Sequence, residues 1–206
     1  MYRHALITTL LAATTLSATA TAQWGFVTTP NHPPARTEAQ MCYDLFRGEV
    51  VLYGGGSTSG GTDTWTYDGT SWTLEAPLRN PGFRRRAQLV HNLLNGRSIL
   101  YGGSAGGRMA DDTTWEWNGT DWIPIGTNGS PGGLTRYAAT FDANRNRMVV
   151  YGGLRDTWNG QPLADTWEYD GSSWTMVTTF NSPAGGLINH AMSYHIAQQK
   201  IYLFGG

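Results

Sequence analysis

The sequence predicts an all-β chain, a β-propeller of four-stranded antiparallel blades, with three blades complete and a fourth partial. Three observations carry that expectation. The chain repeats internally with a period near fifty residues, the spacings inside each copy are fixed, and no helical periodicity of useful length appears. The segments YDLFRGEVVLYGG (43–55), HNLLNGRSILYGG (91–103) and FDANRNRMVVYGG (141–153) align, and YHIAQQKIYLFGG (194–206) is a fourth copy. From Asp44, Asn92, Asp142 and His195 to Gly54, Gly102, Gly152 and Gly205 the distance is ten residues each time.

Each copy reads as four strands. Strand a is apolar and ends at the Asp/Asn place, as in AATFD (138–142). A short polar turn leads to strand b, the β-branched and aromatic run VVLYGG (50–55). Strand c alternates around an aromatic residue, as in TWEYD (166–170). An Asp-Gly or Asn-Gly turn (Asp68-Gly69, Asn118-Gly119, Asp170-Gly171) then reverses the chain, because both positions of such a dipeptide tolerate positive φ. Strand d opens on a second Trp, seven residues after the first in the pairs Trp65/Trp72, Trp115/Trp122 and Trp167/Trp174. The blades are expected at about 34–76, 82–126 and 132–178, with a partial one at 186–206.

Trp24 precedes Asp44 by twenty residues, as Trp72 precedes Asn92 and Trp122 precedes Asp142. Residues 24–28 therefore read as a strand d standing alone, suited to completing a last blade and covering open edges. The fourth copy supplies strands a and b but no strand c between b and d. A missing internal strand leaves backbone groups of both neighbours unpaired, so these 206 residues are expected to be the N-terminal part of a longer chain.

Gly-Gly at the end of strand b, an aromatic residue in strand c and a Trp opening strand d together resemble the kelch repeat, as in kelch proteins and the galactose oxidase propeller. The resemblance covers nearly all of 24–206 and implies a propeller that serves as a binding module. Many bacterial kelch repeats also place Arg and His ahead of strand a. Arg36 and Arg84 fill the Arg place but Leu134 and Leu187 do not, and only His190 fills the His place. Each Trp can bury about 150–250 Å², a gross gain of about 4–6 kcal/mol at about 25 cal/mol per Å². The repeated tryptophans thus read as packing between blades rather than ligand platforms.

Residues 1–22 have the parts of a secretory leader. Arg3 and His4 give a basic start, Ala5 to Leu16 an apolar run, and Ala20-Thr21-Ala22 a small-x-small cleavage site. A secreted or periplasmic protein beginning at Gln23, with no membrane span, is expected. The 14 basic and 15 acidic residues leave a formal net charge of −1, which does not suit a nucleic-acid partner. A single cysteine, Cys42, rules out a disulfide framework and reads as a small buried hydrophobe.

The turns a–b and c–d keep constant length, whereas the b–c loops grow from eleven residues (Gly54 to Trp65) through thirteen (Gly102 to Trp115) to fifteen (Gly152 to Trp167). Length variation on a rigid scaffold marks a binding face. With the d–a segment RNPGFRRR (79–86) on the same side, the candidate ligand face comprises Arg84, Arg85, Arg108, Arg155, Asp156 and Trp158. No catalytic residue, cofactor or metal is expected: the histidines lack metal spacing and no G-x-S-x-G elbow occurs. Tyr194-His195 and Cys42 are similar to the copper ligands and thioether cysteine of galactose oxidase, but repeat position accounts for them. Tyr194 stands where Tyr43 and Phe141 stand, and His195 where Asp44 and Asp142 stand. The expected function is a non-catalytic module binding a protein or glycan through the b–c and d–a loops. The alternative is the propeller part of a larger secreted carbohydrate-active enzyme of oxidase or lyase type.

Overall fold

The computed structural model describes residues 28–56, 61–179, 181–183 and 185–206. The predicted leader and all of the predicted strand at 24–28 except Thr28 lie outside the described residues. The first sheet is β1 (Gln40–Asp44), β2 (Glu49–Tyr53), β3 (Thr64–Tyr67) and β4 (Trp72–Leu74). The second is β5 (Gln88–Asn92), β6 (Arg97–Tyr101), β7 (Thr114–Trp117) and β8 (Trp122–Ile125). The third is β9 (Ala138–Asp142), β10 (Arg147–Tyr151), β11 (Thr166–Tyr169) and β12 (Trp174–Val177). A two-stranded sheet, β13 (Ala191–His195) and β14 (Lys200–Phe204), follows. Every pairing is antiparallel between sequential strands, and the first strands β1, β5, β9 and β13 pack side by side in that order.

Strand b is apolar over its last three residues, VLY, ILY and VVY, because an inner blade is covered on both faces. Successive side chains of a strand point to opposite faces. In blade 2, Leu89, Leu100, Trp117 and Trp122 pack with Val51 and Tyr53 of blade 1. Val90, Ile99 and Tyr101 pack with Leu134, Tyr137 and Phe141 of blade 3. Among the described residues blade 1 has such a neighbour on one face only, and on the other Met41, Tyr43 and Leu74 are exposed.

The a–b turns explain the Asp/Asn place. Asp44 Oδ1 accepts the N–H groups of Phe46 and Arg47, Asn92 Oδ1 those of Leu94 and Asn95, and Asp142 Oδ1 those of Asn144 and Arg145. In the fourth copy His195 does the same work, its Nδ1 accepting the Gln198 N–H at 3.2 Å. A turn role is thus enough to account for this histidine.

The c–d turns differ from the two-residue hairpin that the Asp-Gly and Asn-Gly dipeptides suggest. Tyr67 pairs with Trp72, Trp117 with Trp122 and Tyr169 with Trp174, leaving four residues in each loop. Only the glycines have positive φ, 96° at Gly69, 98° at Gly119 and 100° at Gly171. The preceding Asp or Asn instead caps the loop: Asp68 Oδ1 accepts the N–H groups of Thr70 and Ser71, and Asn118 and Asp170 repeat the arrangement. The side chain acts as a turn acceptor, and the longer loop sets the second Trp opposite the c-strand aromatic.

Three periodic contacts join blade to blade. Trp122 Nε1 donates to Thr64 Oγ1 at 2.8 Å and its ring meets Tyr53 at 4.9 Å; Trp174 donates to Thr114 Oγ1 at 3.1 Å and meets Tyr101 at 4.5 Å. The second Trp of blades 2 and 3 is therefore a key held by the Tyr and Thr of the preceding blade. The Tyr hydroxyl in turn holds the following d–a loop, donating to the carbonyls of Gly82, Gly132 and Gly185 from Tyr53, Tyr101 and Tyr151. The glycine pair is the third joint. Gly103 N donates to Leu134 O at 2.8 Å, and a Cβ on Gly102 would lie 2.5 Å from that carbonyl. Gly54 and Gly152 repeat this approach to Arg84 O and Leu187 O. A side chain there would push the blades apart.

Candidate functional site

The b–c and d–a loops share one face with the starts of the a strands, and this face carries all six predicted residues. Arg84 turns inward and is 4 % exposed. Its Nη1 donates to Gly102 O and Asp111 Oδ1, both at 2.7 Å, its Nη2 to Thr113 Oγ1, and its Nε to Pro81 O. Arg36 makes the corresponding set with Gly54 O, Asp63 and Pro34 O. Burial opposes the Asp63 charge, but Arg36, the Trp65 indole N–H and the Gly61 N–H outweigh it and hold the carboxyl well below its usual range. These two arginines clamp loops within a blade; Arg84 spends all five of its N–H groups and Arg36 four, so Arg84 has no donor to spare for a ligand.

Blade 3 has Leu134 in that place, and Arg155 of its b–c loop takes over. Arg155 Nε and Nη2 donate to Pro131 O at 3.2 and 2.7 Å, the carbonyl equivalent to Pro34 O and Pro81 O, and the guanidinium lies 3.9 Å from Asp165. Arg155 keeps partial exposure but is anchored as the loop clamp of its blade.

Arg85, Arg108, Asp156 and Trp158 are brought together between the b–c loops of blades 2 and 3. The loops pair through the Met109–Asp156 bridge and the bonds Ala110 N to Arg155 O and Thr157 N to Arg108 O. Asp156 accepts the Trp158 and Asn159 N–H groups and, at 2.6 Å, the Arg108 Nε–H; these bonds, the Trp158 one foremost, hold its carboxyl below the usual range. Trp158 is 70 % exposed and borders, with Arg85 and Arg86, a crevice of about 80 Å³. Arg85 also lines a wider depression of about 810 Å³ shared with Arg36, Thr37 and Phe83.

The axis of the face holds a second cluster that the sequence reading missed. Glu38, Arg86, Arg136 and Asn189 occupy one repeat position, two residues after the Arg place, and all have positive φ between 56° and 62°. Each starts a strand a with a left-handed kink. Arg86 N donates to Glu38 O and Asn189 N to Arg136 O, so the kinked residues are bonded in two pairs, blade 1 to blade 2 and blade 3 to the fourth copy. The signal was a polar residue of changing sign just before each apolar strand, at a place where no other feature repeats.

At the opposite end of the axis, a cup of about 450 Å³ is bordered by Cys42, His91, Phe141 and Tyr194. Ser98 Oγ lies 3.2 Å from His91 Nδ1, and His91 Nε2 lies 3.6 Å from Asp44 Oδ1. These are the residue types of an acyl-transfer triad, but Ser98 is fully buried and Asp44 is spent on its turn and on Arg47. Burial pushes the Cys42 thiol up to about 12, leaving no thiolate at neutral pH. The group is a polar joint between blades 1 and 2. Among the described residues no cluster of three or more His, Cys, Asp or Glu side chains suits a metal ion, and no helix is long and apolar enough to cross a membrane.

The antiparallel blades, the glycine joints and the Trp keys define a kelch-type propeller. A family model, the KLHDC2/KLHL20/DRC7 Kelch-repeats domain, matches residues 10–206, and the chain belongs to that family. Kelch domains bind proteins. A search of curated proteins found no match.

Proposed function

We propose that the protein is an exported, non-catalytic binding module that docks a protein partner on the loop face, with Arg85, Arg108 and Trp158 as its anchors. The observation that carries the reading is Trp158, exposed over most of its surface yet fixed by its loop. Its N–H is bonded to Asp156, and the neighbouring Thr157 hydroxyl reaches the blade 2 loop at Gly107 O and Arg108 O, both at 2.9 Å. A rigid, exposed Trp beside arginines has the composition of an interface hot spot, where single truncations cost about 2 kcal/mol or more. Arg84 and Arg155 support this face by clamping its loops. The same face also suits a glycan through the Trp158 ring, but family membership supports the protein. Export rests on the leader-like residues 1–22.

The test is crosslinking of the purified protein to the secreted proteins of its source, comparing wild type with the Arg85→Ala/Arg108→Ala/Trp158→Ala variant at equal thermal stability. Partners captured by the wild type should fall at least to about one thirtieth with the variant, the equivalent of one hot spot. Equal capture refutes the face. N-terminal sequencing of the exported protein should begin at Gln23, and a cell-retained protein that still starts at Met1 refutes export.

A further inference from the structure

The axial cluster forms a polar pocket of about 220 Å³ on the blade axis, which adjoins the Trp158 crevice through Arg86. Its charges do not balance. Arg86 is committed to Glu38, its Nε donating to Oε1 at 2.6 Å. Arg136 has no ion pair or side-chain hydrogen bond among the described residues, and its buried Nε lacks a partner. One cation is thus left over in a half-open pocket, which favours a single negative charge at Arg136, while Glu38 Oε2, buried and without a hydrogen-bond partner, adds an acceptor for a hydroxyl.

The rest of the lining is neutral and polar. Gln88 spends its amide N–H on Tyr137 O at 3.0 Å, which leaves its carbonyl oxygen as an acceptor. Gln40 and Asn189 add further amides with both donor and acceptor atoms. His190, 7 % exposed, packs edge-on against the Tyr151 ring and lies by the Tyr151 backbone, with neither ring nitrogen in a well-formed hydrogen bond among the described residues, and burial lowers its pKa, favouring the neutral ring with one donor and one acceptor. Buried polar atoms of both kinds call for a ligand that donates and accepts repeatedly. A bare carboxylate on an aliphatic stem would satisfy Arg136 and leave the amides unpaired.

We propose that this pocket binds a hexuronate-type sugar acid, a small ring carrying one carboxylate among hydroxyl groups. The carboxylate pairs with Arg136, and the hydroxyls exchange hydrogen bonds with Gln40, Gln88, Asn189 and His190. A ring of this size matches the volume of the pocket, and the left-handed backbone that presents the cluster is fixed by its bonds from blade to blade.

The test is calorimetric titration of the full chain with D-glucuronate, D-glucose and acetate. D-Glucuronate should saturate one site about tenfold more tightly than either of the others, because only it engages both the cation and the amides. Arg136→Asn keeps a residue that tolerates positive φ and should weaken D-glucuronate about tenfold. Asn189→Gly, which also keeps the backbone, should weaken it by about threefold, and it decides the matter if the Arg136 variant does not fold. Arg108→Ala and Trp158→Ala should leave D-glucuronate binding unchanged, so the fate of the loop face is judged separately. The proposal is overturned by absent or non-saturable D-glucuronate binding, by acetate binding as well as D-glucuronate, or by unaltered affinity in both pocket variants.

Discussion

Trp174→Ala and Trp72→Ala remove the same repeat residue from two positions whose surroundings differ, and they should not cost the same. Trp174 is 4 % exposed, stacks on Tyr169 of its own blade at 5.1 Å and on Tyr101 of the preceding blade at 4.5 Å, and donates to Thr114. Truncating a buried Trp costs about 3–5 kcal/mol. The lost bond leaves the fully enclosed Thr114 hydroxyl without its donor, so the upper end, about 5 kcal/mol, is expected. Trp72 is only half-buried and has one aromatic neighbour among the described residues, Tyr67 at 5.1 Å, so its truncation should cost about 1 kcal/mol. Urea unfolding followed by far-ultraviolet circular dichroism measures both. Blades can unfold in steps, so the midpoints of each transition are compared rather than a single extrapolated stability. A double-mutant cycle with Thr114→Ala should return a coupling of about 1 kcal/mol with Trp174→Phe and none with Trp72→Phe. Equal losses at Trp72 and Trp174, or no coupling to Thr114, would refute the key-and-slot account of the blade joints.

Three further outcomes are expected. Gly103→Val should destabilise by about 3 kcal/mol or more, since φ is +91° and a Cβ would sit 2.9 Å from the Ala87 Cβ, whereas a few Gly/Ser residues inserted after Gly106 should cost under about 1 kcal/mol by chemical denaturation. Arg84→Ala should lower the melting temperature far more than Arg108→Ala, because only the first leaves buried carbonyls of the loop clamp unpaired; equal shifts would contradict the assigned roles. Burial lowers the folded pKa of His91 and His190, so the unfolded chain binds protons first: stability should be highest above about pH 6.5 and fall as pH drops towards the folded values. The His91→Gln/His190→Gln variant should lose less stability than wild type between pH 7.5 and 5.5, and an identical loss would show that these two groups do not carry the slope.

The strands were legible in the sequence because each is fixed by short-range chemistry repeated three or four times. The Asp44 place caps a turn two and three residues away, the glycine pair ends strand b, and Trp122 must fall opposite Trp117. Less legible were contacts whose partners come from different repeats. The a-strand kinks at Glu38, Arg86, Arg136 and Asn189 share a backbone geometry but no residue type, so alignment of the copies shows variation where the fold shows an axial ring. Arg155 makes the same point from the other side. Leu134 breaks the arginine pattern of Arg36 and Arg84, and in a linear reading blade 3 has simply lost its clamp. In space the guanidinium returns from a b–c loop twenty-four residues downstream of Pro131 and bonds the carbonyl that the other two arginines bond in their own blades. What the repeat retains is therefore the need of a buried loop carbonyl for a strong donor, and the donor is free to come from any segment that reaches it. Two of the six residues expected on the ligand face, Arg84 and Arg155, were the ones this need had claimed. Arg136, on the axis beside Tyr137, was left with a charge that no partner among the described residues neutralises.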